Sequence, residues 1–506
     1  MGPSEQKPEH RRSILAEVAL EAELDGAKAR HAESKGSDLS SSHKDLKVRE
    51  AVSLQLDTAP AEFAEWMAEI SAFSDRFLKS LNDLPAHDRE YSLGRVTAPF
   101  AQAPTPFATL LSELESNVLT KGMNSVSGRF MSYVPGGGLP TAALGDFLAA
   151  LTNRYTANYG ACIPGVEIEN QCVGWLRDLV GMPLMAWGVL TSGGTLAALT
   201  ALVAARDTRA AEEWRRGVVY VTDQAHHSIA KVLKTIGLVE TPVRVVAVDS
   251  EFRMLVSALE DQITADRQEG LSPWILCATA GTTNTGAVDP LQELSQVAKR
   301  EGLWFHIDAA YGGFFLMADQ TGDLLKPLGL ADSIVLDPHK GLFLPYGIGA
   351  VLVRDGAHLK NSFAFNAVYL HDLAGEAELS PSDFSIEATR HFRALRLWLS
   401  LKVHGTERFR NALEEKILLA RHAYDRLSRM PLIAMGPYPQ LSCTTFRVEG
   451  GDPRTRNLLD HINRQKVSDN SSTRLGGKLF LRLCILSFRT HLQEVDAALD
   501  EIERFR

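Results

Sequence analysis

Short apolar runs alternate with helix-period segments through the central part of the chain. Several of these runs contain only Val, Ile, Leu and other apolar residues, which is typical of strands covered on both faces of a sheet. Alternation of this kind predicts a mostly parallel sheet with helices on both faces. The predicted strands are Arg216–Thr222, Val243–Val248, Trp274–Ala278, Trp304–Asp308, Ser333–Leu336 and Gly349–Val353.

The segments on either side of this region carry different patterns. Apolar residues at three- and four-residue steps predict an amphipathic helix over Ala59–Leu81. Toward the C-terminus, helical patterns at Glu407–Met430 and Leu492–Phe505 flank short predicted strands at Thr444–Val448 and Phe480–Cys484. This arrangement predicts a small α+β domain. The apolar stripe of the first helix consists of Phe63, Trp66, Met67, Ile70, Phe73, Phe77 and Leu81.

The patterns divide the chain into four parts. Residues 1–55 are rich in charged and small residues, with a short helical pattern at Ser13–Ala32, and we expect a flexible or loosely helical extension. A helical segment is predicted at 56–125, a large domain at 126–404 and a small C-terminal domain at 405–506.

Composition narrows the class of protein. With 506 residues, 45% of them hydrophobic, and a net charge of -9, the chain is typical of a soluble protein and has no basic patch for nucleic acid. No apolar stretch approaches the length of a transmembrane helix. The five cysteines are scattered without a CxxC pair, which argues against a disulfide framework and a metal site. We expect a cytoplasmic protein.

The strand predicted at Ser333–Leu336 leads into Asp337-Pro338-His339-Lys340 and then a glycine. A loop of this kind presents one amine at the end of a strand. Desolvation there lowers the pKa of the amine, and a neutral amine condenses with an aldehyde, above all that of pyridoxal phosphate. Taken alone, a lysine in this position is more often a solvated surface residue.

A second strand, Trp304–Asp308, ends in a carboxylate followed by Ala309 and Ala310. A carboxylate paired with the ring nitrogen of pyridoxal phosphate keeps that nitrogen protonated, so the ring accepts electrons. The two alanines are small enough for a flat ring to lie against the backbone. Asp308 and Lys340 are therefore candidates for one cofactor site.

Hydroxyl side chains and glycines gather before the helical run Leu196–Ala205. Thr191, Ser192 and the two glycines after them stand at the start of this helix, where free backbone amides bind anions. An ordinary helix cap is the alternative, and no Walker lysine follows. We assign Thr191 and Ser192 to the phosphate of the cofactor, because Asp308 and Lys340 occur in the same chain.

Two further residues have open interpretations. His226 follows a predicted strand and is either a structural histidine or a group that faces a bound ligand. Thr283 is either a neighbour of the cofactor or a turn threonine bonded to its own backbone.

These motifs resemble the group II pyridoxal-phosphate-dependent decarboxylases, the family of aromatic L-amino acid decarboxylase. The resemblance runs from about Phe130 to the C-terminus. The motifs that carry it are Thr191-Ser192-Gly193-Gly194-Thr195-Leu196, Asp223-Gln224-Ala225-His226, Ala280-Gly281-Thr282-Thr283, His306-Ile307-Asp308-Ala309-Ala310-Tyr311-Gly312-Gly313, Asp337-Pro338-His339-Lys340 and Phe392-Arg393-Ala394-Leu395-Arg396-Leu397-Trp398.

The resemblance implies a fold-type I enzyme with a mostly parallel seven-stranded sheet, working as a homodimer with active sites near the interface. The helix predicted at Ala59–Leu81 then packs across the dimer or on its own domain. Lys340 binds pyridoxal 5'-phosphate, His226 covers the ring face opposite Ala310, and His339 adds a phosphate contact.

Other segments resemble the family's substrate pocket and its active-site loop. Tyr133, Pro135 and Asn158 lie in the pocket segments, although Asn158 and Gly160 stand where aromatic-specific relatives carry larger rings. Arg489 either assists the substrate carboxylate or pairs with a helix carboxylate on the surface. The irregular segment His358–Ser385 corresponds to the mobile loop.

The loop of the family's decarboxylases carries a tyrosine that protonates the substrate carbon. Counting back without gaps from Phe392, this position falls on Phe384, which has no proton to give, although Tyr369 lies upstream. In this family, phenylalanine there accompanies oxygen-consuming formation of an aldehyde. The leading expectation is decarboxylation of an L-amino acid, with aromatic ones as candidates. The alternatives are an aldehyde synthase and a non-catalytic cofactor-binding paralogue.

Overall fold

The protein is described by a computed structural model that covers residues 39–81, 83–88, 90, 94–100, 103–364 and 379–505. The chain divides into two compact units. One comprises Met1–Leu78 with Thr105–Thr109, and the other comprises Lys79–Pro104 with Leu110–Arg506.

The α-helices of the described residues confirm the predicted helical segments and add several more. The predicted helices at Ala59–Leu81, Leu196–Ala205, Glu407–Met430 and Leu492–Phe505 are found with bounds shifted by one or two residues. The helices are α1 (Leu39–Ser53), α2 (Pro60–Ser80), α3 (Phe107–Leu114), α4 (Pro140–Thr152), α5 (Ile163–Val180), α6 (Gly194–Arg206), α7 (Ser228–Thr235), α8 (Val256–Gln268), α9 (Leu291–Glu301), α10 (Pro338–Gly341), α11 (Gly356–Phe363), α12 (Ala394–His404), α13 (Thr406–Ser428), α14 (Asp452–Gln465) and α15 (Leu492–Arg504).

A seven-stranded mixed sheet forms the centre of the larger unit, after a short antiparallel pair of β1 (His87–Asp88) and β2 (Gly122–Met123). Its strands are β3 (Trp187–Thr191), β4 (Gly217–Thr222), β5 (Val243–Val246), β6 (Ser272–Thr279), β7 (Trp304–Asp308), β8 (Ser333–Leu336) and β9 (Gly349–Val353). In space the order is β3-β9-β8-β7-β6-β4-β5. Strand β9 runs in the direction opposite to that of the other six strands.

All six predicted strands are confirmed, but β3 was missed. Gly188 stands in the middle of β3 and weakens the strand pattern. The structure explains the glycine, because a Cβ there would overlap the carbonyl oxygen of Val351 on β9. The close approach of the two backbones requires a glycine here, and this glycine is the reason that the sequence did not predict the strand.

Apolar residues cover both faces of the sheet, as the uninterrupted strands predicted. Alternate residues of one strand enter two different clusters: Val219 and Val221 pack on one face, whereas Val218 and Tyr220 pack on the other. Helix α6 contributes small buried residues such as Ala197 and Ala201 to the first cluster. The sheet is thus a buried central layer that fixes the positions of its loops.

The outer edge of β3 is closed by side chains. The backbone N–H of Leu190 donates to Oε1 of Glu169 at 3.2 Å, and its carbonyl accepts from Arg393 at 3.0 Å and from Arg390. Arg390 and Glu169 form a buried ion pair of 2.7 Å. The backbone groups of Leu190 are therefore unavailable for further strand pairing at this edge.

The C-terminal part contains a second sheet, with the antiparallel order β10-β11-β13-β12. The predicted strands correspond to β11 and β13, whereas β10, β12 and α14 were not predicted. Helices α13, α14 and α15 pack on this sheet through a third apolar cluster. The strands are β10 (Ile433–Met435), β11 (Cys443–Val448), β12 (Ser471–Leu475) and β13 (Lys478–Cys484).

Two predicted segments coincide only in part with the described residues. Helix α1 lies within the predicted flexible extension, and the helical pattern at Ser13–Ala32 lies outside the described residues. The predicted irregular segment His358–Ser385 begins inside helix α11, so its first residues are regular. Residues 365–378 of that segment, including Tyr369, lie outside the described residues.

Candidate active site

A cavity of about 370 Å³ opens where β3, β4, β6, β7 and β8 end at the same edge of the sheet. Loops after parallel strands form ligand sites at this edge. The cavity is lined by Ser192, Gly193, Gly194, Thr195, Leu196, His226, Ser228, Thr279, Gly281, Thr283, Asp308, Ala310, Tyr311, Asp337, His339 and Lys340.

Lys340 enters this cavity from the single helical turn α10. Pro338 opens the turn, and the N–H of Lys340 donates to the carbonyl of Asp337 at 2.8 Å. The side-chain Nζ of Lys340 lies 3.1 Å from Oδ2 of Asp337, whose side chain is buried. The motif thus brings one amine and one carboxylate together at the end of β8.

His339 belongs to the same helical turn and also lines the cavity. Its Nδ1 donates to the carbonyl of Ile348 at 2.5 Å, since a carbonyl oxygen only accepts. Its Nε2 lies 3.6 Å from Oδ2 of Asp337 and lines the cavity beside the start of α6.

Asp308 reaches the cavity from the end of β7. Its Oδ1 accepts the backbone N–H of Ala310 at 3.1 Å, which fixes the carboxylate at the strand end. Ala310 lines the cavity next to it. The structure therefore places Asp308, Ala310 and Lys340 around one space, as the sequence predicted.

His226 lies in the same cavity, after β4. Its Nδ1 accepts the backbone N–H of Ser228 at 3.3 Å and lies 2.7 Å from the Ser228 hydroxyl. Burial lowers the pKa of His226, and the Asp308 carboxylate acts in the opposite direction. The ring is therefore neutral at neutral pH and carries its proton on Nε2.

An anion cradle is formed by residues 192–195 at the start of α6. Backbone amides at a helix N-terminus have no helical partner and attract negative charge. Gly194 is required here, because a Cβ would lie 2.8 Å from Oδ2 of Asp337. Thr195 also lines the cavity and was not predicted.

Thr191 is placed differently from the prediction. It is fully buried as the last residue of β3, and its hydroxyl donates to the carbonyl of Gly193 at 3.0 Å. Thr191 therefore stabilises the turn by this hydrogen bond and does not line the cavity, whereas Ser192 does. Since successive residues of a strand point to opposite faces, only one of these two hydroxyls can face a ligand.

Thr283 lines the cavity on the loop after β6. Its carbonyl accepts a hydrogen bond from Arg482 of β13, and the neighbouring Asn284 accepts one from Thr473 at 2.7 Å. The C-terminal sheet therefore supports this wall of the cavity. Tyr311 and Asp337 also line the cavity, although they were not predicted as site residues. Both belong to the motifs that identified Asp308 and Lys340, so their place in those motifs could have identified them.

The predicted substrate residues do not line the cavity. Tyr133 is 59% exposed with a φ of 58°, whereas Pro135 is buried and Asn158 half-buried. Arg489 donates to the carbonyls of Gly137 at 2.5 Å and Val126 at 3.3 Å. Burial lowers the pKa of Arg489 to about 10.

The segment that contains Pro135, which Arg489 contacts at the Gly137 carbonyl, nevertheless packs against the backbone of the turn that carries Lys340. A Cβ at Gly136 would overlap the carbonyl of His339 and lie 2.9 Å from that of Lys340. The alternative of a surface arginine paired with a carboxylate does not hold, because Arg489 is half-buried and bonded to backbone carbonyls.

Phe384 does not line the cavity. It is 3% exposed and packs in the apolar cluster with Val189 and Leu359, on the face of the sheet formed with α6 and α11. This burial does not support the predicted position over the reacting carbon, which rested on ungapped counting across the loop. An apolar anchor in the core does not replace a proton donor.

The site fits pyridoxal phosphate. A carboxylate, a lysine amine and an anion cradle surround a cavity of about 370 Å³, and these are the groups that the ring nitrogen, the aldehyde and the phosphate require. Within the described ranges, no group of His, Cys, Asp or Glu side chains is arranged to hold a metal ion. No helix in the same ranges is long and apolar enough to cross a membrane.

Comparisons with known proteins agree with this geometry. The model of the pyridoxal-dependent decarboxylase conserved domain matches residues 90–448. Aromatic-L-amino-acid decarboxylase of Bacillus atrophaeus is 34% identical over 76% of this chain and 82% of its own. Tryptophan decarboxylase 2 of Oryza sativa subsp. japonica is 28% identical over 78% of this chain and 84% of its own.

A solved structure of Oryza sativa TDC with PLP and tryptamine has the same fold, with a TM-score of 0.83 at 23% identity over 88% of this chain and 98% of the other. The strand ends, the turn that carries Lys340 and the start of α6 all lie within residues 90–448, the range that the family model matches. This chain therefore belongs to the pyridoxal-dependent decarboxylase family and is a pyridoxal-phosphate-dependent amino acid decarboxylase.

Proposed function

We propose that the enzyme removes the α-carboxylate of an aromatic L-amino acid, as a cytoplasmic homodimer. The observation that carries the catalytic assignment is the convergence of Lys340, Asp308 and His226 on one cavity with an anion cradle. The aromatic substrate class is supported by the relative from Bacillus atrophaeus, named an aromatic-L-amino-acid decarboxylase.

Each residue of the cavity has a role toward the cofactor. The backbone amides of residues 192–195 and the His339 ring would hold its phosphate, and Asp308 would hold a proton at the ring nitrogen. His226, Ala310 and Thr283, which line the same cavity, would contact its ring. Bound pyridoxal phosphate supplies an electron-accepting ring for the electron pair that remains when carbon dioxide leaves.

Lys340 would hold the aldehyde of the cofactor through its side-chain amine. Condensation requires a neutral amine, and Oδ2 of Asp337, 3.1 Å from Nζ, is placed to accept the proton of Lys340. Nε2–H of the neutral His226 is a donor at the opposite wall. Together these two groups move protons on either side of the reacting atoms.

Exposed apolar surface supports the homodimer. Leu144, Phe147, Leu148 and Leu151 lie at helical spacing on one face of α4 and are 36–60% exposed. The predicted substrate residues Tyr133 and Pro135 immediately precede this helix. We assign a second copy of the chain to this face, so that these residues, with Asn158 and Arg489, lie close to a subunit interface.

A product analysis tests the proposal. The purified enzyme is saturated with pyridoxal phosphate and given tryptophan, tyrosine, phenylalanine and glutamate, with amine, carbon dioxide, ammonia and peroxide measured together. We expect amine and carbon dioxide in equal amounts from at least one aromatic substrate, and much less from glutamate.

Two results would contradict it. Ammonia and peroxide in proportion to carbon dioxide would identify an aldehyde synthase, for which the buried Phe384 gives no structural support. Bound cofactor without any product from the panel would indicate a different substrate class or a non-catalytic paralogue.

A further inference from the structure

Two cysteines face each other in the C-terminal sheet. Cys443 on β11 and Cys484 on β13 are direct register partners, and their sulfur atoms lie 3.8 Å apart. Both side chains are buried, with exposures of 2% and 1%. The remaining three cysteines, Cys162, Cys172 and Cys277, have no sulfur neighbour of this kind among the described contacts.

The backbone geometry of this pair suits a disulfide. The N–H of Cys484 donates to Met131 at 2.9 Å instead of to Cys443, and the N–H of Ile485 donates to Ser442 at 2.8 Å. Cys443 and Cys484 are therefore a non-hydrogen-bonded pair, in which Cα atoms lie about 4.5 Å apart. Disulfides span Cα separations of about 4.4–6.8 Å.

The two sulfurs differ in their electrostatic surroundings. The contact with the Cys443 sulfur and the charge of Arg482 lower the pKa of Cys484. The pKa of Cys443 is raised by the same contact and by burial. Cys484 is therefore the member of the pair that forms a thiolate more readily.

The pair lies directly behind the wall of the cofactor cavity. Cys443 Sγ lies 3.9 Å from the carbonyl of Asn284, and Arg482 binds the carbonyl of Thr283. The hydroxyl of Tyr311, a cavity residue, lies 2.7 Å from that of Ser442. Cys443 is therefore connected to the cavity wall through Asn284, the neighbour of Thr283, and through Ser442.

We propose that Cys443 and Cys484 form a redox-active dithiol, a modification site that hydrogen peroxide converts to a disulfide. The Cys484 thiolate attacks one peroxide oxygen, the O–O bond breaks, and sulfenic acid forms with release of one water after protonation. Cys443 then attacks the Cys484 sulfur, an S–S bond forms, and a second water leaves. Two thiols are oxidised by two electrons and one peroxide is reduced to two waters.

Thiol counting on the holoenzyme tests this site. The native enzyme is treated with hydrogen peroxide, unfolded in an alkylating reagent, digested and analysed by mass spectrometry. We expect the number of free thiols to fall from the five of the sequence by two, with a peptide that links Cys443 to Cys484. Dithiothreitol should restore both thiols.

Variants separate the pair from other thiols. Cys443→Ser should abolish the linked peptide and leave the Cys484 oxidation products unpaired, whereas Cys277→Ser, another buried strand cysteine, should retain the linked peptide. Cys277 has no sulfur neighbour among the described contacts, and burial raises the pKa of its thiol to about 12. Sulfinic acid at Cys484 without the linked peptide in the wild type, or a link between other cysteines, would overturn the proposal.

Discussion

Asp337 illustrates how much of the site rests on one side chain. Its carboxylate is buried, pairs with Lys340, lies near His339 and fills the space beside Gly194. A buried carboxylate with one charged partner loses most of its stabilisation when that partner changes. The amine, the phosphate cradle and the turn that joins them are therefore coupled at the level of single residues.

Lys340 gives the most direct prediction at this scale. Lys340→Ala should abolish the covalent adduct that borohydride traps between enzyme and pyridoxal phosphate, because no other lysine lines the cavity among the described residues. Peptide mapping of the reduced enzyme measures this. Lys360→Ala on α11 is the control and should retain the adduct; label on a different lysine in the wild type would show the assignment to be wrong.

Asp308 gives a second prediction. Asp308→Asn keeps the shape of the side chain but removes its negative charge, so the ring nitrogen loses the partner that keeps it protonated. We expect kcat to fall by about 100-fold or more, since each 1.36 kcal/mol of lost stabilisation is about tenfold in rate. Asp207→Asn at the end of α6 should leave kcat unchanged, and unaltered kcat in Asp308→Asn would falsify the role.

Residue positions were predictable where a motif fixes the geometry. Lys340, Asp308 and His226 follow strands whose ends meet at one edge, so spacing and pattern suffice to place them in one cavity. Thr191 and Phe384 do not line that cavity, because their orientation depends on strand pleat and on the path of a loop. Counting residues across a loop of unknown path gives no information about which side chain faces the cavity.

At the scale of elements, the start of α6 is the most sensitive. A Cβ at Gly194 would lie 2.8 Å from Oδ2 of Asp337 and 3.2 Å from Oδ1, so Gly194→Ala must displace the carboxylate. Overpacking of this kind costs about 1–3 kcal/mol, and we expect the Kd for pyridoxal phosphate to rise by roughly 5- to 150-fold.

A matched variant on α5 provides the control. Gly174 is also helical, but a Cβ there has no atom within 4 Å. Gly174→Ala should leave the Kd unchanged and slightly raise stability, because alanine is the better helix former by about 1 kcal/mol. Equal cofactor titrations for both variants would contradict the steric argument.

Strand β7 carries a pH-dependent contribution to stability. His306 is fully buried, and burial lowers its pKa to about 4. The unfolded chain, with an ordinary pKa near 6.5, therefore binds more protons than the folded one below about pH 6.5, and stability is lost as pH falls toward 4. The contribution is about 3 kcal/mol over that window, since one pKa unit corresponds to about 1.4 kcal/mol.

His306→Gln removes this titration. The thermal midpoint of the wild type should fall more between pH 7 and pH 5 than that of His306→Gln, as measured by calorimetry. His43→Gln, at an exposed position of α1, should behave like the wild type. The same decrease in all three proteins would show that His306 does not carry the effect.

At the scale of the whole molecule, the sequence predicted the layered architecture because buried parallel strands are continuous apolar runs. It missed the short strands β3, β10 and β12, which depend on contacts made far along the chain, and it also missed helix α14. Helix α2 has an apolar stripe but no buried residue, and the face of α4 is exposed. Both helices therefore have surface available to a second copy.

The dimer prediction uses the face of α4. Leu148→Glu places a charge among Leu144, Phe147 and Leu151, and we expect the protein to sediment as a monomer because burying an unpaired carboxylate is costly. Leu184→Glu alters a leucine that is 83% exposed elsewhere and should remain dimeric. A wild-type monomer would contradict the dimer, and a Leu148→Glu variant that remains dimeric would place the interface on another surface.

The pairing of β3 also determines when the cofactor site is completed during synthesis. The loop proposed to bind the phosphate follows β3, yet the sheet neighbour of β3 is β9 and its outer side contacts Arg390. A nascent chain that already contains Lys340 still lacks both of these contacts. We therefore expect pyridoxal phosphate to be retained only after residues through Arg390 have left the ribosome, and we expect translation that stops before Arg390 to leave an exposed strand edge that favours aggregation.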